Sequence, residues 1–165
     1  MKHLLFLFLA SAFMLPVFAQ QKQRASPHDT VKAKDIEITY GRPYKKNREI
    51  FGSLVKYGEV WRTGADEATQ ITFKKDATFG GKPVKAGTYT LFTIPTEGEW
   101  TVILNSQLKQ WGAFEYNKNK DKDVLQVKVP SKKIASTVEQ MTIIVEGSNI
   151  NITWDKTMVA IPVKI

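Results

Sequence analysis

The sequence predicts an antiparallel β-sandwich of about eight or nine strands, with a closed β-barrel as the alternative. Three observations carry that expectation. Apolar residues recur at every second position through most of the chain. Turn-forming glycine, proline and asparagine interrupt these runs at strand-length intervals. None of the 165 residues sits in a sustained helical period. Short strands punctuated in this way build two packed sheets.

The elements follow in order. "DIEITY" sets Ile36, Ile38 and Tyr40 on one face, and "TQITFKK" does the same with Ile71 and Phe73. "TYTLFTI" is apolar on both faces, the mark of a central strand. "EWTVILN" and "DVLQVKV" alternate again, and "MTIIVEG", "NINITW" and "MVAIPVKI" complete the series. "FGGKPVKAG" and "PTEG" read as turns, and "EGSN" reads as a tight hairpin from Glu146 to Asn149. The nearest helical candidates are "REIFGSLV" (48–55) and "SQLKQWG" (106–112), each one or two turns long.

The first 19 residues have the form of a signal peptide. Lys2 precedes an apolar run from Leu4 to Phe18, and Ala19 ends it with a small residue. The run is too short for a comfortable membrane span and lacks a charged stop-transfer flank. The expected organisation is a signal peptide over 1–19, a flexible polar arm over 20–30 and one β-sandwich domain over 31–165. An exported protein, periplasmic or extracellular, follows, with no stable membrane insertion after cleavage. The chain has no cysteine, hence no disulfide and no thiol nucleophile. Disulfide-free export suits a bacterial periplasm. The net charge is +8, but the lysine pairs at 45–46, 74–75 and 132–133 are dispersed. Dispersal and export both oppose nucleic-acid binding.

Catalytic options narrow by exclusion. Beyond the leader the one histidine is His28, expected as an exposed arm residue. It offers no rigid triad, and without cysteine a zinc site lacks ligands. "NKNKDKD" (117–123) imitates a calcium loop, but Lys122 and Lys128 stand where glycine and glutamate are required. No metal or other cofactor is expected, and no catalytic residue is assigned. Paired carboxylates remain chemically open: Glu59, Asp66 and Glu67 lie near Trp61 and could serve a histidine-free glycan hydrolase.

The arginines carry the strongest binding signal. The chain has four, and Arg42, Arg48 and Arg62 fall within one glycine- and aromatic-rich segment. Arginine gives rigid bidentate recognition of carboxylate or phosphate. The candidate residues are Arg42, Arg48, Trp61, Arg62, Thr63, Glu67 and Trp111, as ligand contacts or as a structural latch. In the latch form, Arg62 bonds Glu67, brought back by the turn at Thr63-Gly64, or the backbone carbonyls of a loop.

The blocks "ITYGRP", "REIFGSLVKYGEVWRTGADEAT", "AGTYTLFTIP", "EWTVILN" and "QWGAFEY" resemble the uncharacterised exported bacterial proteins grouped as domain of unknown function 2911. The resemblance runs from about Ser26 to the C-terminus. The family pattern has "GANEAT" where this chain has Asp66, which adds a charge beside Glu67. The resemblance implies an exported, mostly β domain and no established activity. The leading expectation is therefore a non-catalytic binding or accessory domain for an anionic or glycan-like ligand or an envelope partner. The rivals are the glycan hydrolase and a structural domain acting through protein contacts at a strand edge.

Overall fold

The computed structural model describes residues 23–165. The expected signal peptide and the first residues of the arm lie outside the described residues. Nine strands are formed within them: β1 (His28–Lys32), β2 (Ile36–Gly41), β3 (Gln70–Phe73), β4 (Ala77–Phe79), β5 (Lys82–Val84), β6 (Gly87–Ile94), β7 (Glu99–Asn105), β8 (Asp123–Glu146) and β9 (Asn149–Lys164). All pairings are antiparallel, in the order β1-β2-β3-β6-β7-β8-β9-β4-β5. The order has two ends, so the sheet is open and the barrel alternative does not hold.

The sandwich arises because β8 serves both halves. Its first part pairs with β7 and its last part with β9. It changes partner between Pro130 and Ser131, and two register irregularities follow within the β9 pairing, between Lys133 and Val138 and between Val138 and Thr142. Such bulges bend a strand and increase its twist. The far half of β8 then faces β2, where Tyr40 Oη accepts a 2.9 Å hydrogen bond from the Ile143 N–H. One apolar core fills the space between, with Ile38, Phe73, Phe79, Trp100, Met141 and Trp154 all buried.

A second, smaller cluster lies on the outer face of β6 and β7. Phe92 and Ile103 meet Ala68 and Tyr116 there, with Val60, Ile94 and Ala113 against them. This is why "TYTLFTI" is apolar on both faces: a layer of connecting segments covers what would otherwise be the solvent side. That layer carries the candidate site.

Two expectations at element level are corrected. Neither 48–55 nor 106–112 is helical; single 3-10 turns form instead at Tyr116–Lys118 and Lys120–Lys122. Left-handed Gly52 (φ +92°) interrupts the first candidate. The "NKNKDKD" stretch is tied into the fold: Asp123 accepts from Asn105 Nδ2 at 2.8 Å and from Tyr116 Oη at 2.6 Å. The segment expected as a flexible arm is docked over its described part, and His28 opens β1 rather than lying exposed. No helix of the described residues is long and apolar enough to cross a membrane.

Candidate functional site

The segment "VWRTGADEAT" is a closed loop mounted on β6. Trp61 and Thr93 exchange backbone hydrogen bonds of 2.7 and 3.0 Å. Thr69 N–H reaches back to the Arg62 carbonyl at 3.1 Å, and Leu91 N–H then takes the Thr69 carbonyl at 2.7 Å. Inside the loop, Thr69 Oγ1 donates to the Thr63 carbonyl at 2.7 Å, and the Thr63 and Thr93 hydroxyls lie 3.1 Å apart. Thr63 is fully buried, so its role is structural. Thr63 and Asp66 both hold left-handed backbone, φ +56° and +62°. That conformation is uncommon for a β-branched residue and marks a strained, over-determined turn. The outer flank is clipped by Ala68 N–H to the Gln110 carbonyl and Gly112 N–H to the Asp66 carbonyl, both 2.9 Å.

The loop walls an open cleft of about 470 Å³. Trp61, Val60, Leu54 and Phe114 give it apolar sides, Arg62 and Arg48 bring positive charge, and Glu59 and Asp66 bring negative charge. Leu54 and Phe114 are exposed. Trp61 is held from behind by Trp154, stacked at 6.1 Å and 18°, and by Trp100 and Phe51 edge-on at 6.0 Å. Its indole Nε1 donates to the Gly64 carbonyl at 3.2 Å. The tryptophan is thus a fixed platform rather than a mobile flap.

Arg62 is the unusual residue. Its guanidinium is half-buried, and its one hydrogen bond among the described residues is a long one, Nε to the Gly64 carbonyl at 3.3 Å. No carboxylate of the described residues lies within ion-pair distance. Burial pulls its pKa below the usual arginine value, with the nearby Asp66 charge pushing the other way. Gly112 makes room for it: a Cβ there would meet Arg62 Nη1 at 3.1 Å.

Of the two partners expected for an Arg62 latch, the loop carbonyl is engaged, at Gly64, and Glu67 is not. Glu67 is instead held by Arg24, whose Nε lies 2.9 and 3.1 Å from the two carboxylate oxygens, with Nη2 at 2.9 Å. Asp66 accepts 3.0 Å hydrogen bonds from the Ala25 and Ser26 N–H groups. His28 Nε2 sits 3.4 Å from Asp66 and 3.3 Å from Glu67, near both without a directed hydrogen bond. Burial would raise the Asp66 pKa, but the two backbone donors and His28 outweigh it and hold it below the ordinary carboxylate value. Ala25 and Ser26 thereby become a wall of the cleft.

The other candidates separate. Arg42 is a latch, engaged by Asp29 and the Met141 carbonyl at 3.1 Å and by Thr142 Oγ1 at 3.0 Å. Arg48 lines the cleft but donates to the Lys45 and Tyr44 carbonyls of its own turn. The three arginines therefore do not converge. Trp111 bridges the Glu67 backbone and does not line the cleft. Arg24, Leu54, Phe114 and Trp154 were not among the expected site residues. Trp154 stood in the strand run "NINITW" and Phe114 in the block "QWGAFEY", with nothing to distinguish core from rim.

The carboxylates do not suit glycoside hydrolysis. An acid catalyst needs a raised pKa. Asp66 and Glu59 both line the cleft, but Asp66 is shifted the other way, Glu59 is exposed beside Lys56 at 3.6 Å, and Glu67 is drawn off to Arg24.

A family model described as "Protein of unknown function (DUF2911)" matches residues 22–163. No curated protein and no solved structure matches the chain.

Proposed function

Because the chain belongs to the DUF2911 family, which hands down no activity, we propose from the cleft's own chemistry that the protein is a non-catalytic binding domain for a small anion with an apolar body. The observation that carries this is Arg62. A half-buried guanidinium with no carboxylate in ion-pair contact loses part of its hydration, and the nearby Asp66 charge offsets that only in part. A ligand carboxylate or phosphate would supply the remainder through the free Nη donors. Trp61, Val60, Leu54 and Phe114 would take the apolar body, the usual division of labour in a small-molecule pocket. The leader-like first 19 residues and the lack of cysteine support placing this binding outside the cytoplasm, in a periplasm or beyond.

Calorimetric titration with hexanoate and benzoate, against hexanol and inorganic phosphate, tests the reading. The two carboxylates should bind and hexanol should not. Arg62→Met should weaken carboxylate binding by roughly ten- to a hundredfold, the worth of a charge-assisted hydrogen bond. Its urea midpoint should stay at or slightly above that of the parent, since no ion pair is lost and a desolvated charge is removed. Undiminished carboxylate binding by Arg62→Met, or no carboxylate binding by the parent, refutes the proposal.

A further inference from the structure

The loop that gives Leu54 and Val60 to the first cleft gives Phe51 and Tyr57 to a second, of about 400 Å³. Opposite them stand Lys132, Lys133 and Thr157 at the β8–β9 pairing, with Trp100 and Glu97 also lining the space. Adjacent residues of a regular strand point to opposite faces. Here both lysines line one cleft because the ladder breaks immediately after them. Lys133 pairs with Thr157 and the next pair is Val138 with Asp155, so 134–137 stand opposite residue 156 alone. Bulges of this kind re-aim side chains beside functional sites.

The cleft's hydrogen-bonding groups are unevenly satisfied. Ser131 Oγ is engaged by the Glu97 carbonyl and Thr96 Oγ1 by the Glu99 carbonyl. Lys132, Lys133, Tyr57 and Thr157 have no side-chain hydrogen bond among the described residues, and neither lysine has a carboxylate within 4.0 Å. Trp100, almost fully buried, also leaves its indole N–H without a partner. Burial raises the Tyr57 pKa, and Glu97 and Glu49 raise it further, so its hydroxyl stays a donor. The surplus is therefore of donors and positive charge, with one carboxylate, Glu97, as an acceptor. A wholly apolar anion would leave Glu97 facing it unpaired. A polyhydroxyl ring would satisfy it, and sugar rings stack on aromatic faces such as Tyr57 and Phe51.

We propose that this second cleft binds an acidic sugar of the hexuronate class. The carboxylate meets Lys132 and Lys133, a ring hydroxyl donates to Glu97, and the ring lies against Tyr57 and Phe51. The site is independent of the first cleft and of the ligand proposed for it.

The test is titration of the 15N-labelled protein with glucuronate, followed at the Trp100 indole N–H resonance. Glucose and inorganic phosphate form the control arms. Glucuronate should give a saturable shift at a concentration about tenfold or more below that of either control. Lys132→Gln/Lys133→Gln, both at exposed positions, should remove that advantage with an unchanged urea midpoint, and Arg62→Met should leave it intact. Glucose binding as tightly as glucuronate overturns the proposal, as does phosphate binding as tightly, or a double glutamine variant that keeps the parent's affinity. A parent protein with no saturable glucuronate shift overturns it as well.

Discussion

A methyl group on Gly41 would lie 2.2 Å from the Ala65 carbonyl oxygen and 2.8 Å from its carbon. Gly64 faces the same contact from the other side, where a Cβ would stand 2.9 Å from the Gly41 carbonyl. The end of β2 and the site loop therefore touch backbone to backbone, and neither can yield by rotating a side chain. Gly41→Ala should destabilise the fold by about 3 kcal/mol or more, the upper end of overpacking costs, as read from urea unfolding. Gly112→Ala is a different case. Its Cβ would meet Phe114 Cε2 at 2.7 Å, and that exposed ring can swing away, which leaves the left-handed backbone (φ +66°) as the source of strain. At this scale the sequence was half legible. The arginines and glycines of the motif stand out by type, because few other residues tolerate such turns or offer such a fork. Their partners do not. Glu67 pairs with Arg24, 43 residues earlier in a polar stretch without periodicity, and no local pattern announces a contact of that span.

Among the elements, β6 and β7 were readable because burial on one or both faces leaves a period that survives in the residue types. β1 was not, since "HDTVK" is a half-exposed edge strand with little apolar content. β4 and β5 were taken for a turn: three residues each, joined through Gly80-Gly81 and carrying Pro83, they are nearly all punctuation. Lys82 and Pro83 on the terminal strand also discourage pairing with a further chain. Long β8 and β9 appeared as two runs each, because bulges and left-handed Asp155 (φ +52°) break their alternation without ending their pairing. The β4–β5 hairpin has one strand pairing with the rest of the sheet among the described residues, Thr78 with Lys164 and Phe79 with Val163, beside single hydrogen bonds from Gly80 to the Pro162 carbonyl and from Lys82 to the Gln126 carbonyl. Deleting residues 163–165 should release it. The loss should be about 1.5–3 kcal/mol for each of Phe79 and Val163 removed from the core, with new protease cleavage between 76 and 86. An unchanged melting temperature and protease pattern would show that the hairpin docks without its partner strand.

Across the whole molecule, the docking of residues 24–28 against the loop layer depends on ionised carboxylates. The Asp66 pKa is lower in the folded protein than its ordinary value of 3.8. A group depressed in this way contributes stability above the unfolded value and loses it as pH falls through the folded one. Acid below about pH 4 should therefore free the Ala25 and Ser26 amides before the strands open. Hydrogen exchange at those two amides, compared with Ile71 and Val102 in the core, reads this directly. Exchange that accelerates at all four positions together would refute a separate release. Asp66→Asn should show the loosened amides already at neutral pH. The same docking has a practical side. Since Ala25 and Ser26 wall the first cleft, an affinity tag or display anchor fused just ahead of Arg24 is joined to the chain next to that wall. Surface immobilisation for ligand screening is better made through a spacer beyond Ile165, which is exposed and does not line that cleft.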